Sequence, residues 1–380
     1  MANTLTSLIP DAFIAANMVS RELVGFINAV VRDSSADQVA TGATLRSSIG
    51  PAQTVATITP AMSIPAAADQ TFTNRTLTIG AIKGTGFSWT GEEQYAVNTG
   101  PGYLNLRQNQ IAEAMRAIVN SIETDIANSF YQNASRAYGT AATTPFGTAS
   151  DLTDLAETNK ILDDNGAPKA ERQIVLSTSA SAKLRAKQSS LFKVNESGTD
   201  ALLRRGEIGQ LMNYIVRESG QVSNATAGTG SGYLINNGAG YAVGDTALTV
   251  DTGSGTILAG DVITIGSYKY VVATALASNV VTIQAPGLQA TVADNATVTV
   301  SATSVRNAAF ARSAIVLATR LPKVPEGGDL ALDRQVITDD VSGLSFEMTL
   351  WPGQYMNKVQ LAAVWGVSVF NPKHCAVLLG

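Results

Sequence analysis

Cysteine and histidine occur once each in this 380-residue chain, as the neighbours His374 and Cys375. One thiol excludes an internal disulfide and any cysteine cluster for a metal. One imidazole leaves little for histidine-based catalysis, and adjacency alone does not make His374 a base for Cys375. Charge is scarce too: Asp, Glu, Lys and Arg make up 15% of the residues, and the formal net charge is −4. The basic residues are scattered singly or in pairs such as Arg204-Arg205, which argues against a dedicated nucleic-acid groove. Long apolar runs are missing; the longest near the end, Val359 to Phe370, is too short to span a bilayer. The opening MANTLTSLIPDAF lacks the basic stretch of a secretory signal. These absences lead us to expect a soluble protein made in a reducing compartment. No G-x-x-x-x-G-K-[ST], H-E-x-x-H or G-x-S-x-G string occurs, so the chemistries those motifs serve have no foothold.

What is present is apolar and small. Hydrophobic residues make up 45% of the chain and there are 33 glycines, a composition that favours β structure and a largely neutral surface. One string suggests chemistry. VDTGSGT, Val250 to Thr256, has the hydrophobic-Asp-Thr-Gly-Ser pattern that carries the catalytic aspartate of pepsin-like proteases. That chemistry needs two carboxylates sharing one proton. The nearest second candidate, Asp245-Thr246-Ala247, has alanine where the turn glycine belongs. A β-hairpin accounts for the string better, with Ala247–Val250 as one strand, Asp251–Gly255 as turn and Thr256–Leu258 opening the next. Asp245, Asp251, Asp261 and Asp294 match no calcium-loop spacing and read as turn residues. The N-x-[ST] sequons at Asn74, Asn133, Asn195, Asn224 and Asn295 read as incidental, because bacterial cytosol offers no transferase.

Periodicity predicts a helix over residues 10–31, started by Pro10 and Asp11. An extended stretch follows over 32–68. Residues 70–90 form a β-prone excursion broken by Gly80, Gly84 and Gly86. The strongest helix signal runs from Leu106 to Tyr138, where Ile111, Met115, Ile118, Val119, Ile122, Ile126 and Phe130 recur at spacings of three and four. A helix with one apolar stripe of that length is expected to lie across a sheet. Further helices are predicted over 151–164 and 179–187, and strands over 172–177 and within 204–218. From Gln221 to Thr303 helix signals vanish. Short runs such as TALTV, DVITIG, YKYVVAT, NVVTIQ and ATVTVS, split by turn residues, predict a small barrel or sandwich. Alternation at Leu344–Leu350 and Val359–Val369 predicts two long strands joined at Pro352-Gly353-Gln354.

The order of these parts resembles the major capsid (coat) proteins of tailed bacteriophages, in the subgroup with an inserted β-barrel. QIAEAMRAIVNSIETDIANSFYQNA (Gln110–Ala134) has the form of their spine helix. GEIGQLMNYIVRES (Gly206–Ser219) and NATAGTGSGYLINNGAG (Asn224–Gly240) resemble the approach to the insertion, and LAGDVITIG (Leu258–Gly266) the insertion itself. SGLSFEMTLWPGQYMNKVQLAAVWGVSVFNPKHCAVLLG (Ser342–Gly380) resembles the family's ending. The resemblance implies an α+β tailed-phage capsid fold. It divides into an N-terminal arm (1–69), an extended β loop (70–105), a spine helix and peripheral domain (106–149), an axial domain (150–222 and 304–341), an inserted barrel-like domain (223–303) and peripheral strands (342–380).

It also implies a non-enzymatic shell subunit without cofactor or metal, assembling as hexamers and pentamers in the host cytoplasm and residing in the virion. No acidic, helical pro-segment precedes the arm, so a separate scaffolding protein is expected, together with a portal, non-specific contact with packaged double-stranded DNA, and no membrane. Within 70–90, the residues Phe72, Ile79, Ile82, Lys83, Phe87 and Trp89 lack an evident local apolar partner and are the candidate subunit contacts. Some members of the wider fold join a loop lysine to a neighbour's asparagine. Lys83, Asn357 and the base Glu347 would be the corresponding residues here, but members with an inserted domain generally do not cross-link, and Lys83 reads as an ordinary exposed lysine. The competing function is a surface-layer or adhesin-like binding protein that recognises its target through the β-module.

Overall fold

The computed structural model describes residues 24–49, 73–98, 103–187, 208–338 and 343–380. Its axis is one helix of 31 residues, Tyr103–Asn133, about 46 Å long at 1.5 Å per residue. All seven apolar stripe residues from Ile111 to Phe130 are buried, so the 3.6-residue period marks the inward face. The helix stops sooner than the sequence suggests, because Arg136–Tyr138 is a strand. Ser135 captures the chain there: its amide and hydroxyl both donate to the Cys375 carbonyl, at 3.0 and 2.7 Å.

Two sheets sandwich this helix. The first has six strands, in the order Val31–Val39, Ile315–Pro322, Met356–Val369, Ser345–Gly353 and Asp333–Thr338, with Lys83–Thr90 also paired to Met356–Val369. Only the Val31–Val39 pairing is parallel. The predicted long hairpin closes through Gln354 and Tyr355, with Gly353 opposite Met356. In the second sheet Arg136–Tyr138, Cys375–Leu379, Ser304–Ala311, Arg172–Leu176, Tyr214–Glu218 and Gln210–Leu211 lie side by side. Alternation along its central strands explains why they read as unbroken apolar runs. Val175, Ala308, Phe310, Val377 and Leu379 face the long helix, while Ile174, Leu176, Ala309, Ala376 and Leu378 meet the helices Thr153–Asp164 and Thr178–Lys187 on the other side.

The β-only region closes into a ring. Val262–Ile265 pairs with Thr297–Val300, which continues through Tyr233–Ile235, Ala247–Asp251 and Val280–Ile283 to Tyr268–Ala277, and that strand pairs back to Val262–Ile265. Closure leaves no free edge inside the ring. Ile263, Ile265, Tyr270 and Val272 fill its interior. Their neighbours Val262 and Val271 point outward by the two-residue period and are buried with the long helix. That outward pair seats the barrel on the rest of the chain.

Several expected boundaries move. Of the helix expected over 10–31, residues 24–31 are described: Phe26–Ala29 is helical and Val31 already begins a strand, since the β-branched pair Val30-Val31 runs into the register beside Val316. Thr73–Thr78 pairs with Thr44–Ile49 and not with Lys83–Thr90, so the excursion starts near Thr44 and its return strand ends at Thr78. Ile315–Pro322 and Asp333–Thr338, assigned to the axial unit, belong to the first sheet, and Cys375–Leu379 belongs to the second. The chain passes between sheets at the 3-10 turns Arg312–Ala314 and Pro372–His374, where the Phe370 amide donates to the Ala314 carbonyl at 2.8 Å. The hairpin expected around Asp251 does not form either. Ala247–Asp251 pairs with Tyr233–Ile235 and Val280–Ile283, and residues 256–258 are not a strand.

The short helix Phe26–Ala29 has no side-chain cap of its own. Glu123, in the middle of the long helix, supplies one: its carboxylate accepts the amides of Phe26 and Ile27 at 3.0 and 2.6 Å and the Ser219 hydroxyl at 2.8 Å. Burial pushes the Glu123 carboxyl above its ordinary range, against the downward pull of these donors. A raised folded value favours the protonated folded state. The stability from this group is therefore fully present below the unfolded carboxylate range and is lost as pH rises through the raised value. Thermal scans across that window should show a fall with rising pH that Glu123→Gln, which cannot ionise, lacks. An identical fall in the variant would contradict this.

Candidate subunit-contact surface

Thr44–Ile49 and Thr73–Thr78 form a two-stranded ribbon with six residue pairs, from Thr44 opposite Thr78 to Ile49 opposite Thr73. No third strand joins it among the described residues. Its root is fixed. Leu77 and Ile79 pack with Ala318 and Val364, and the Gly80 amide donates to the Trp365 carbonyl at 3.0 Å. Gly366 admits the crossing, since a Cβ there would lie 2.4 Å from the Thr78 carbonyl oxygen. Beyond the root, Arg46, Ser47, Asn74, Arg75 and Thr76 are exposed. A ribbon of two strands is marginally stable in water unless something packs on it.

The six residues singled out by sequence do not behave as one group. Phe72 lies outside the described residues. Ile79 is buried by its own chain at the ribbon root. Phe87 packs against the main core. The Trp89 indole N–H donates to Gln110 Oε1 at 2.6 Å, tying Lys83–Thr90 to the long helix. Lys83 Nζ reaches Asp125 Oδ2 at 2.7 Å and lies 4.8 Å from the Trp365 ring centroid, while Trp365 Nε1 donates to the same Asp125 oxygen. Ile82 alone of the five that are described is a large exposed hydrophobe, at 53%. The cross-link reading finds no free base, because buried Glu347 is paired with Arg334 at 2.8 Å.

Large exposed apolar side chains gather instead at the far end of the first sheet. Tyr355 is 88% exposed at the hairpin turn and Tyr95 78% exposed on the helix Gly91–Asn98. The first residue of that helix is tied to the turn, since the Gly91 amide donates to the Tyr355 carbonyl at 3.3 Å. Leu330 and Leu332 are exposed before the edge strand of the same sheet, where the Leu332 amide donates to the Leu350 carbonyl at 2.8 Å. Sequence reading passed over these residues. The available signal was a tyrosine in a tight turn and leucines inside the polar stretch Gly327–Asp333, where burial was not to be expected.

The aspartate string holds a loop in place. The Thr252 hydroxyl donates to Asp251 Oδ1, the Tyr233 hydroxyl donates to the Gly255 carbonyl at 2.8 Å, and Ser231 bridges to Ser254. A Cβ on Gly253 would lie 2.3 Å from the Tyr233 ring, so the glycine is required by packing. Asp245 and Asp294 cap turns through the amides of Ala242 and Asn237. No group of three or more His, Cys, Asp or Glu among the described residues could hold a metal. Asp251→Asn should leave the melting temperature within about 1 °C, since a surface turn side chain contributes within ±0.5 kcal/mol. A larger loss by calorimetry would give Asp251 a role beyond this loop. Burial pushes the Cys375 thiol far up, which makes it inert as a nucleophile.

No family model and no curated protein matches this sequence. Solved structures do. The capsid of Cyanophage P-SCSP1u aligns with a TM-score of 0.53 at 10% identity, over 94% of this chain and 88% of that one. The mature capsid of bacteriophage PhiM1 aligns with a TM-score of 0.51 at 12% identity, over 93% and 86%. The chain has the α+β tailed-phage capsid fold, with an all-β barrel inserted in chain order between the second-sheet strands Tyr214–Glu218 and Ser304–Ala311.

Proposed function

We propose that this chain is the major capsid protein of a tailed bacteriophage, a non-enzymatic subunit that assembles in many copies, as hexamers and pentamers, into the icosahedral shell around the genome. The observation that carries the reading is the capsid fold extending over more than nine tenths of the chain. Two features of the single chain support it: a two-stranded ribbon that no third strand joins among the described residues, and the large exposed side chains Tyr95, Tyr355, Leu330 and Leu332 left in water. Both are what a subunit designed to be covered by copies of itself would carry. On this reading Ile82 and the exposed ribbon residues meet a neighbour, while Ile79, Lys83, Phe87 and Trp89 act indirectly by holding the ribbon root and its sheet.

Assembly in the host cytoplasm with a scaffolding protein and a portal, residence in the virion, and non-specific contact with packaged double-stranded DNA belong to the same proposal. No described helix is long and apolar enough to cross a membrane. No feature of the fold favours the surface-layer or adhesin-like alternative. Negative-stain microscopy of the purified chain, alone and with a co-expressed scaffold, tests the proposal. Shells, tubes or rings are expected, and persistent monomers under both conditions would overturn it.

A further inference from the structure

Arg306 lies on the strand leaving the barrel, Ser304–Ala311, and is 1% exposed. Alternation places Ser304 and Arg306 on the same face as Ala308 and Phe310, toward the long helix. None of the three guanidinium nitrogens has a hydrogen-bond partner, and neither does the Ser304 hydroxyl. Within electrostatic reach of Arg306 is Asp261, 3% exposed, just before the barrel strand Val262–Ile265. Its carboxylate accepts the amides of Leu258 at 2.6 Å and Gly228 at 3.1 Å. Arg306 and Asp261 feel each other's charge, and Arg306 also feels Tyr131 of the long helix. They make no direct ion pair. The loop carrying Asp261 lies against that helix, since a Cβ on Gly260 would fall 2.6 Å from the Tyr131 ring. Barrel loop, long helix and exit strand therefore bring these buried polar groups together in one cell at the barrel root.

A guanidinium cannot shed its proton, so its buried N–H groups must be satisfied where they are. Asp261 already supplies the counter-charge, and an added anion would leave the cell with a net negative charge in a low dielectric. What the cell lacks is hydrogen-bond acceptors that can also donate to a carboxylate. Water is the ligand that does both. We infer that the barrel root contains a buried water site in which ordered water joins the Arg306 guanidinium and Ser304 hydroxyl to the Asp261 carboxylate, clasping the barrel to the rest of the chain.

The direct test is a map of the intact chain, or of its assembly, at a resolution that resolves ordered water. It should show at least one water within about 2.7–3.2 Å of an Arg306 nitrogen and of an Asp261 oxygen. A direct Arg306–Asp261 contact without water, or an anion on the guanidinium, would overturn the inference. The solution test is a thermodynamic cycle in the full chain. Asp261→Asn and Arg306→Met should each lower the melting temperature, by about 5–10 °C, because each strands the other charge. The double variant should lose clearly less than the sum. Additive losses, or singles that melt like the parent, would count against the clasp. If a single variant fails to fold, the map of the unaltered protein still decides.

Discussion

Replacing Tyr95 and Tyr355 together with serine should abolish particle formation while leaving a folded, monodisperse monomer. Both side chains are almost wholly exposed and contribute little to the fold of the single chain. An aromatic side chain buries 150–250 Å² when covered. Covering both is therefore worth several kcal/mol per subunit. Because a shell closes cooperatively, a loss of that size per contact is expected to raise the critical assembly concentration by orders of magnitude. Sedimentation velocity under scaffold-driven assembly conditions should find only slow species, with far-ultraviolet circular dichroism unchanged. Shells of normal yield from the double variant would show that the hairpin turn is not a contact.

Phe130→Ala should be the most damaging single truncation of the long helix. Phe130 is fully buried near the helix end, and its ring lies 5.7 Å from that of Phe310 on the second sheet. The substitution removes an aromatic contact between helix and second sheet within the main core, which also holds the barrel's outward valines. The expected cost is about 3–5 kcal/mol, read as a lower urea midpoint with unchanged slope. Gln132→Ala, two residues on at an exposed position, should stay within ±0.5 kcal/mol. Equal midpoints for the two variants would mean the helix end is not part of the core.

What the sequence disclosed was whatever depends on local period. The stripe from Ile111 to Phe130 predicted its own burial, and the Tyr268–Ala277 run and its neighbours predicted a β-only unit. Partners across long separations were not legible. Thr73–Thr78 and Lys83–Thr90 look like two arms of one hairpin, yet each pairs with a strand far away in the chain. Phe87 and Trp89 look unpartnered because the helix face that receives them begins about twenty residues later. Ser345, Glu347 and Thr349 alternate with the apolar residues of their strand, yet they are buried as well, and the partner of Glu347, Arg334 on the adjoining edge strand, could not be read from that alternation. Turn chemistry around Asp251 was legible as turn chemistry, while the strand that answers it was not, because Ser254 meets Ser231 instead of closing a hairpin.

The strand Tyr268–Ala277 belongs to two structures at once. Within the barrel it pairs with Val262–Ile265 and Val280–Ile283, and at Lys269 and Tyr270 it also pairs with Ala137 and Arg136, which continue into Cys375–Leu379. The barrel is thus mechanically in series with the second sheet and is not a bead on a tether. A pull on the barrel is carried by backbone hydrogen bonds into the sheet and, through Ser135, to the end of the long helix. A load applied anywhere on the barrel is therefore shared at once by the sheet and the long helix, and the inserted unit and the body of the chain deform as one piece.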